Sequence, residues 1–220
     1  MKKVAVILSG CGVFDGSEIY ETVITLLALD SHDAQYQCFA PNTPQLHVID
    51  HLKGDIAVGE TRNVLVEAAR LARGEIKDLA DLNEKEFDAI IFPGGFGAAK
   101  NLSDFAVNGA SMVINLQVKA AARAFALAKK PAGYICIAPT LIAGIYEHGA
   151  ECTIGNDPDT AAAINTMGAK HINCEVDDVV IDEKNKIVST PAYMLAERIS
   201  EAAAGIEKLV GSVLNMTDAK

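Results

Sequence analysis

The sequence has no tryptophan and few aromatic residues, which make up 5% of the chain, although half of its 220 residues are hydrophobic. No stretch approaches the ~20 consecutive apolar residues that a membrane-spanning helix requires. Positive charge is also scarce, since 19 lysines and arginines face 29 acidic residues and the net charge is −10. This negative field disfavours nucleic acids and anionic membrane surfaces as partners and leaves small neutral molecules as candidate substrates.

Cysteines show no sign of pairing. There are five, an odd number, with no Cys-x-x-Cys spacing: Cys11, Cys38, Cys136, Cys152 and Cys174. This pattern argues against a disulfide framework or a zinc site and indicates a reducing compartment. The apolar run at residues 4–8 is too short for a signal peptide and ends at Ser-Gly-Cys-Gly, so it predicts a strand. We therefore expect a cytoplasmic protein.

Signals for a cofactor or a metal are weak. Gly10, Gly12 and Gly16 follow the first apolar run, but the third glycine comes one position too late for a dinucleotide-binding fingerprint. No Gly-Lys-Ser/Thr sequence occurs, which argues against a P-loop. His47 and His51 lie four residues apart, but their surroundings are typical of a solvated surface. We expect no cofactor and no bound metal.

Apolar runs alternate with helical patterns along the chain, which predicts an α/β fold with a mostly parallel sheet and helices on both faces. The length fits one domain covering residues 1–220. The predicted strands are Val4–Leu8, Tyr36–Ala40, Ala89–Phe92, Gly133–Ile137, Val179–Ile181 and Ile187–Ser189. The predicted helices are Glu18–Leu29, Thr61–Arg73, Met112–Lys129, Pro139–Glu147, Thr160–Met167 and approximately Tyr193–Leu214. The polar segment 182–186 predicts a hairpin.

Cys136 is the strongest candidate for chemistry. An aliphatic run ends at this cysteine, and Ala138-Pro139 and a helical segment follow, which predicts a strand, a sharp turn and a helix. A helix N-terminus directed at a thiol favours the thiolate, the form that attacks carbonyl carbon. The alternative is a structural cysteine, which behaves as a small buried hydrophobe. Cys11 should open onto the same sheet edge, but we expect it to be structural.

Two further segments favour the catalytic interpretation of Cys136. Gly94 and Gly95 follow a predicted strand, and glycines there let backbone N–H groups approach a ligand and bind an oxyanion. Glu18 and Glu21 follow the first strand and lie one helical turn apart, so they share a face. Each pair also has a non-catalytic explanation. The glycines could simply form a tight turn, and the glutamates could compensate the dipole of the helix.

Three motifs occur in a fixed order: a strand with an acidic helix, a strand with Pro-Gly-Gly-x-Gly-Ala, and a strand with Cys-x-Ala-Pro. This order resembles the PfpI-type branch of the class I glutamine amidotransferase-like superfamily. Within that branch, the sequence is similar to the group named isoprenoid biosynthesis proteins with an amidotransferase-like domain, or enhancing lycopene biosynthesis proteins. The matching phrases span the whole chain: Ile7–Val13, Asp15–Ile19, Glu60–Leu65, Pro93–Leu102 and Thr190–Met194.

This resemblance implies a flavodoxin-like three-layer sandwich with a nucleophile-elbow cysteine, and it also implies a homodimer. Cys136 matches the elbow cysteine of the family, and Glu21 matches the glutamate paired with it. Glu18, one turn earlier, is a second candidate for that glutamate. The oxyanion and substrate-binding positions of the family match three residues: Gly94, Gly95 and Ile137.

The sequence departs from the wider family pattern near this cysteine. No histidine lies about twenty residues after Cys136, where many members have one, and the nearest are His148 and His171. No His-x-Glu sequence of true glutamine amidotransferases occurs. Tyr134 stands where a strict elbow has a small residue. Without a histidine base, cleavage of amides is disfavoured, so we expect neither protease nor glutaminase activity.

The favoured hypothesis is a cofactor-independent lyase of the glyoxalase type that converts small 2-oxoaldehydes, such as methylglyoxal or glyoxal, to hydroxy acids. An aldehyde is electrophilic and needs no protonated leaving group, so the missing histidine matters less than it does for an amide. The rival hypothesis is a non-catalytic regulator linked to isoprenoid biosynthesis, in which Cys136 is oxidised as a redox sensor. An acyl or amide hydrolase is a third alternative.

Overall fold

A central sheet of seven strands organises the protein, whose structure, a computed structural model, describes residues 1–217. Six neighbouring strands of this sheet run parallel, and one edge strand is antiparallel. Two ribbons of two short strands each lie outside it. In chain order the strands are β1 (Lys3–Ile7), β2 (Gln35–Ala40), β3 (Ile49–Asp50), β4 (Asp55–Ile56), β5 (Ile76–Asp78), β6 (Ala89–Phe92), β7 (Ala132–Ile135), β8 (Glu151–Cys152), β9 (Lys170–His171), β10 (Val180–Asp182) and β11 (Ile187–Thr190).

Helices fill most of the connections between the strands. The α-helices of residues 1–217 are α1 (Ile19–Ser31), α2 (Val64–Ala68), α3 (Phe96–Lys100), α4 (Phe105–Asn108), α5 (Leu116–Leu127), α6 (Ile142–Ile145), α7 (Pro158–Met167) and α8 (Ile199–Met216). Two 3₁₀ turns, Ala138–Leu141 and Ala192–Met194, follow β7 and β11 directly. Within the described range, no helix combines the length and the apolar character needed to cross a bilayer.

The strand order of the sheet creates a crevice at its centre. The order is β10-β11-β7-β6-β1-β2-β5, so the chain moves outward in one direction from β1 to β2 and in the other direction from β6 to β7. Because crossovers between parallel strands are right-handed, α1 and α5 lie on opposite faces of the sheet. Such a reversal leaves an opening at the carboxyl ends of β1 and β6, where open α/β sheets bind their ligands.

The hydrophobic core lies on both faces of the sheet. α1 packs against α8, which also contacts β7 and β11, whereas α5 contacts β6. Gly133 in β7 allows the close approach of α8, because a Cβ atom there would lie 2.8 Å from Leu209. Every residue of β6, β7 and β11 is buried, as expected for parallel strands covered on both faces. The predicted flavodoxin-like three-layer sandwich is confirmed.

All six predicted strands are present, and their ends differ from the predicted ends by at most two residues. The hairpin predicted at residues 182–186 is confirmed by the antiparallel pairing of β10 with β11. The sequence analysis missed β5, because Lys77 and Asp78 leave only one apolar residue in this three-residue strand. It also missed the two-residue strands of both ribbons, which are too short to carry a hydrophobic pattern.

Two predicted helices begin later than expected because an asparagine caps them from an extended conformation. The segment Thr61–Arg73 contains only α2 as regular helix, and Asn63 accepts a hydrogen bond from the Val66 amide at 3.1 Å. The segment Met112–Lys129 contains α5, and the side chain of Asn115 accepts from the first free amides of that helix. Asparagine competes with the helical backbone in this way, so these caps displaced the predicted starts.

Two other predicted helices are interrupted. Pro139–Glu147 is a 3₁₀ turn followed by α6, which has four residues. Tyr193–Leu214 is divided between the 3₁₀ turn at 192–194 and α8, because Arg198 is extended and its amide donates to the Glu201 carboxylate at 3.2 Å. This hydrogen bond, one of the two in a capping box, sets the start of α8.

Candidate active site

Three neighbouring strands deliver the candidate residues to one edge of the sheet. β1 is followed by the loop that leads to Glu18 and Glu21, β6 by Gly94 and Gly95, and β7 by Cys136. These strands are adjacent in the order β7-β6-β1, and all three are parallel. Their carboxyl ends therefore meet, and the structure brings all of these residues together at the central crevice.

Cys136 has the backbone conformation of a nucleophile elbow. Its φ angle is +63°, a left-handed conformation that non-glycine residues rarely adopt, and its amide donates to the carbonyl of Thr190 at 3.0 Å. Its side chain is 8% exposed. Tyr134 does not obstruct this turn, because its ring is fully buried and stacks on Phe92 with a centroid distance of 4.9 Å.

The protonation state of Cys136 differs from the sequence-based expectation. Burial and the neighbouring Glu21 carboxyl raise the pKa of Cys136 well above that of a free cysteine, although the amides of Gly95 and Ile137 hydrogen-bond to its sulfur and act in the opposite direction. The segment after the cysteine is a 3₁₀ turn and a four-residue helix, so it lacks the dipole that a long helix would supply. The expected stabilisation of the thiolate by a helix N-terminus is therefore wrong.

Glu21 is fully buried beside Cys136, and the two side chains share a hydrogen bond. Its carboxyl accepts two further hydrogen bonds, from the Gly94 amide at 3.0 Å and from the Tyr193 amide at 3.1 Å. Burial, the main cause, and the charge of Glu18, the second, raise the pKa of Glu21 to about 8. The hydrogen bonds from the two amides lower this pKa but do not offset the increase. The Glu21 carboxyl and the Cys136 thiol therefore titrate as a coupled pair, in which proton transfer near neutral pH is accessible.

Glu18 lies next to this pair but has a different role in the fold. It precedes α1 in an extended conformation, and its carboxylate accepts from the Glu21 amide at 2.6 Å. Its own amide donates to the carbonyl of Gly94 at 2.9 Å. The side chain is 8% exposed, and burial raises its pKa. Glu18 thus caps the helix and positions the glycine loop, whereas Glu21 contacts the sulfur.

The two glycines of the loop after β6 are required by close packing. A Cβ atom on Gly94 would overlap the Cβ atom of Cys136 and crowd the Glu21 carboxyl. Gly95 has a φ angle of +96°, and a Cβ atom there would overlap the Glu18 amide. The loop therefore lies directly against the cysteine, with the Gly95 and Ile137 amides both directed at the sulfur. Such convergent N–H groups can stabilise negative charge that develops on sulfur or on an adjacent oxygen.

The sequence analysis missed the contribution of the segment after β11. The Thr190 carbonyl holds the elbow amide, and the Tyr193 amide holds the Glu21 carboxyl. The only available signal was the phrase Thr190–Met194, one of the segments that carry the family resemblance. Its contacts are with residues far away in sequence, 172 positions apart in the case of Tyr193 and Glu21, so no local pattern reveals them.

Two of the five histidines, His51 and His171, have partners away from the cysteine. His51 lies 3.7 Å from Asp15 and accepts from the Phe14 amide, while His171 accepts from the Ile154 amide at 3.2 Å. Among residues 1–217, no group of three or more His, Cys, Asp and Glu side chains is arranged to hold a metal ion. The described site offers one thiol, two carboxyls and backbone amides as its chemical groups.

Known proteins share this sequence over nearly its full length. The chain is 48% identical to human glutamine amidotransferase-like class 1 domain-containing protein 3, mitochondrial, over 98% of this chain and 83% of that protein. It is 46% identical to the rat ES1 protein homolog, mitochondrial, over 98% of this chain and 84% of that protein. No family model matches the sequence.

Solved structures share the fold. An isoprenoid biosynthesis protein with amidotransferase-like domain from Ehrlichia chaffeensis superimposes with a TM-score of 0.92 and 40% identity, covering 98% of this chain and 99% of that one. Glyoxalase III from Candida albicans superimposes with a TM-score of 0.62, over all of this chain and 98% of that one. Its identity of 13% makes this second similarity one of fold alone.

The relatives correct one expectation and establish the family. Both curated relatives are named mitochondrial, and this contradicts the expectation of a cytoplasmic protein, which is therefore wrong. Free cysteines indicate a reducing compartment, but they do not distinguish one such compartment from another. With 40–48% identity across almost its whole length, the chain belongs to the family that contains glutamine amidotransferase-like class 1 domain-containing protein 3, the ES1 proteins and the amidotransferase-like isoprenoid biosynthesis protein.

Proposed function

We propose that the protein is a cofactor-independent glyoxalase that converts small 2-oxoaldehydes, such as methylglyoxal and glyoxal, to 2-hydroxy acids. The observation that carries this proposal is the hydrogen bond between the Cys136 thiol and the buried Glu21 carboxyl, whose pKa is raised to about 8. The pair joins a nucleophile to a group that can both remove and return protons near neutral pH. Glyoxalase III, a protein of the same fold, is named for this reaction class, so the fold is compatible with the proposal.

The first step forms a bond between sulfur and carbon. Ionised Glu21 takes the proton of the Cys136 thiol as the sulfur attacks the aldehyde carbon, and the C=O electron pair moves to oxygen. The amides of Gly95 and Ile137, which bind the sulfur before attack, lie next to this oxyanion and stabilise it. Glu21 then protonates the oxygen, which leaves a hemithioacetal and a carboxylate ready for the next step.

The remaining steps move a proton between two carbons and release the product. The Glu21 carboxylate removes the hydrogen on the sulfur-bearing carbon, and the electron pair forms an enediolate with the adjacent carbonyl. The hydroxyl proton moves from the oxygen of the first carbon to that of the second, and Glu21 returns the other proton to the second carbon. These two transfers give a thioester of the 2-hydroxy acid. Water cleaves the thioester and restores the Cys136 thiol, so the net change is addition of one water to the oxoaldehyde without an oxidant. Glu18, 8% exposed beside Glu21, is the alternative carrier of this proton.

The site supports the rival functions less well. Amide hydrolysis needs an acid that protonates the departing amine, and the imidazoles of His51 and His171 are bonded elsewhere. Redox sensing favours an exposed cysteine with a lowered pKa, whereas Cys136 is buried and its pKa is raised. Neither observation argues against addition of Cys136 to an aldehyde. This reaction has no amine to protonate, and Glu21 accepts the proton of the thiol during the attack.

Turnover of methylglyoxal without glutathione tests the proposal. Purified protein should convert methylglyoxal to lactate catalytically, and Cys136→Ser should abolish the conversion. Cys11→Ser is the matched control, because Cys11 lies on the same sheet edge in the loop after β1 and should leave turnover intact. Modification of Cys136 by one equivalent of aldehyde without lactate formation would reject the enzyme and favour the sensor.

A further inference from the structure

We propose that Tyr193, together with Tyr20, sets the upper size limit of the aldehydes that reach Cys136. This inference rests on the proposed function, and it concerns which substrates that site accepts. Tyr193 belongs to the phrase Thr190–Met194, for which the reaction scheme provides no role beyond a backbone contact. It therefore adds a specificity-determining side chain to the site.

The backbone of Tyr193 is attached directly to the reactive pair. Its amide donates to one oxygen of the Glu21 carboxyl at 3.1 Å, while the Gly94 amide binds the other oxygen at 3.0 Å. Glu21 in turn hydrogen-bonds the Cys136 sulfur. The α-carbon of Tyr193 therefore lies immediately beside the carboxyl that handles the proton, and its side chain starts from the edge of the site.

The rings of Tyr193 and Tyr20 lie close to each other, and both residues are more exposed than Glu18 and Glu21. Their centroids are 6.2 Å apart, and Tyr20 is placed on α1 between Glu18 and Glu21. Burial raises the pKa of the Tyr193 phenol, and the charges of Glu18, Tyr20 and Glu21 raise it further, so the hydroxyl is within electrostatic range of both carboxyls.

Exposure falls steeply from Tyr20 to the reactive groups beside it. Tyr20 is 50% exposed, whereas Glu18 and Cys136, one layer deeper, are each 8% exposed. In this proposal, a molecule that reaches the sulfur passes an aperture that the two rings border.

The turn that carries Tyr193 is held in one conformation. Ala192 is fully buried with a φ angle of +43°, and the Met194 and Leu195 amides donate to the carbonyls of Pro191 and Ala192. A non-glycine residue keeps a left-handed conformation only where its surroundings fix it. The backbone of Tyr193 is thus fixed, and a bulky aldehyde cannot displace it without breaking the hydrogen bond to Glu21.

Substrate size provides the first test. We expect wild-type protein to prefer glyoxal and methylglyoxal, with two and three carbons, over phenylglyoxal. Tyr193→Ala should raise kcat/KM for phenylglyoxal relative to methylglyoxal at least tenfold, mainly through KM, and Tyr20→Ala should raise the ratio by a smaller factor. Tyr193→Phe keeps the ring and should stay within twofold of the wild-type ratio. Tyr36→Ala, at the amino end of β2, is the control for loss of a partly exposed tyrosine elsewhere.

Alkylation of Cys136 provides a readout that does not need turnover. Cys136 is labelled with iodoacetamide and, separately, with a bulky aryl maleimide, and peptide mapping gives the rate at this cysteine alone. Tyr193→Ala should accelerate the maleimide at least tenfold relative to iodoacetamide, and Tyr36→Ala should not. If wild-type protein turns over no aldehyde, the proposed function fails while this ratio still tests the size limit.

Unchanged ratios in both Tyr193→Ala and Tyr20→Ala would overturn the inference. Circular dichroism establishes that each variant is folded, and Tyr20→Ala removes an exposed ring without touching the strained turn. If Tyr193→Ala does not fold, an unchanged maleimide-to-iodoacetamide ratio in Tyr20→Ala is sufficient to reject the size limit. A raised ratio in that variant supports it.

Discussion

The fully buried carboxyl of Glu21 hydrogen-bonds to the sulfur of Cys136, and the pKa values of both groups are raised. Glu21 raises the pKa of the thiol, whereas the hydrogen bond from the thiol lowers the pKa of Glu21. Burial is the larger cause for both, because neither charged form is solvated at the end of the parallel strands. The raised pKa values favour the protonated forms of both Cys136 and Glu21 at neutral pH. This arrangement suits a reaction that moves a proton from carbon to carbon, and it gives the following predictions.

The two glutamates should differ in their effect on catalysis. Glu21→Gln should lower turnover of methylglyoxal by about 10²–10⁴-fold, because the group that exchanges protons with the thiol and the substrate is lost. Glu18→Gln should retain most activity and lower the free energy of unfolding by about 0.3–1 kcal/mol, because a charge at the start of α1 is removed. Steady-state kinetics and urea denaturation of both variants measure these effects. An inactive Glu18→Gln beside a nearly wild-type Glu21→Gln would reverse the assignment.

Turnover should rise with pH and reach half of its plateau near pH 8. Glu21 must be ionised to accept the thiol proton, and its pKa is raised to about 8 by burial and by Glu18. Initial rates of lactate formation between pH 6 and 9.5 give the profile. A rate independent of pH over that range would show that another group is the base.

The stability of the protein should fall as pH rises between about 4.5 and 8, and Glu21 should cause part of this decline. The native state keeps the Glu21 proton up to a pKa of about 8, whereas the unfolded state loses it near 4.5. The unfolded state therefore binds fewer protons in this window, and the free energy of unfolding decreases with pH, by on the order of 4 kcal/mol at most.

Glu21→Gln cannot ionise and should flatten that decline. The comparison uses the difference in Tm between pH 5 and pH 8, because the substitution also changes one hydrogen bond at both pH values. Equal differences for wild-type protein and variant would show that Glu21 is ionised in the native state across the whole window.

Gly94→Ala should disrupt the site and destabilise the protein. The added methyl group would overlap the Cys136 side chain and crowd the Glu21 carboxyl, both of which are fixed by the fold. We expect loss of aldehyde turnover and a lower Tm by several degrees, consistent with overpacking costs of about 1–3 kcal/mol. Gly211→Ala in α8 is the matched control, since its nearest neighbour outside the helix would lie 3.9 Å away. This control should equal or exceed wild-type stability, because alanine favours helix.

The protein is expected to be a homodimer. Three apolar side chains with the spacing of one helix face, Ile19, Val23 and Leu27, are between 42% and 60% exposed on α1. Light scattering at micromolar concentration should give twice the monomer mass of 23.2 kDa. Leu27→Lys should shift the mass toward the monomer, whereas Leu127→Lys, at an exposed site on α5, should not. A wild-type mass of one chain would reject the dimer.

The sequence predicted the architecture because its signals are local. Apolar runs of three to five residues located six of the seven strands of the central sheet. A cysteine or a glycine pair at the end of such a run marks an edge of the sheet. The positions of Cys136 and of Gly94 relative to their strands follow from chain direction alone, since parallel strands end at a common edge. Helix starts were less accurate, because caps such as Asn115 depend on one side chain and not on a repeating pattern.

Tertiary structure alone decided how the site works. The family resemblance favoured Glu21 over Glu18, which lies one turn earlier, but it left both as candidates. Only packing shows that Glu18 is a cap and that Glu21 is the partner of the sulfur. The raised pKa of Cys136 opposes the expectation from its helix, because desolvation depends on every residue packed around the thiol.

The sequence by itself thus determined the fold, the family and the residues that meet at the strand ends, since these follow from hydrophobic periodicity and short motifs. Charge states, the division of roles between the glutamates and the contact between Tyr193 and Glu21 arise from groups up to 172 residues apart. Electrostatic and packing energies depend on distance in space, and the order of residues along the chain does not specify that distance.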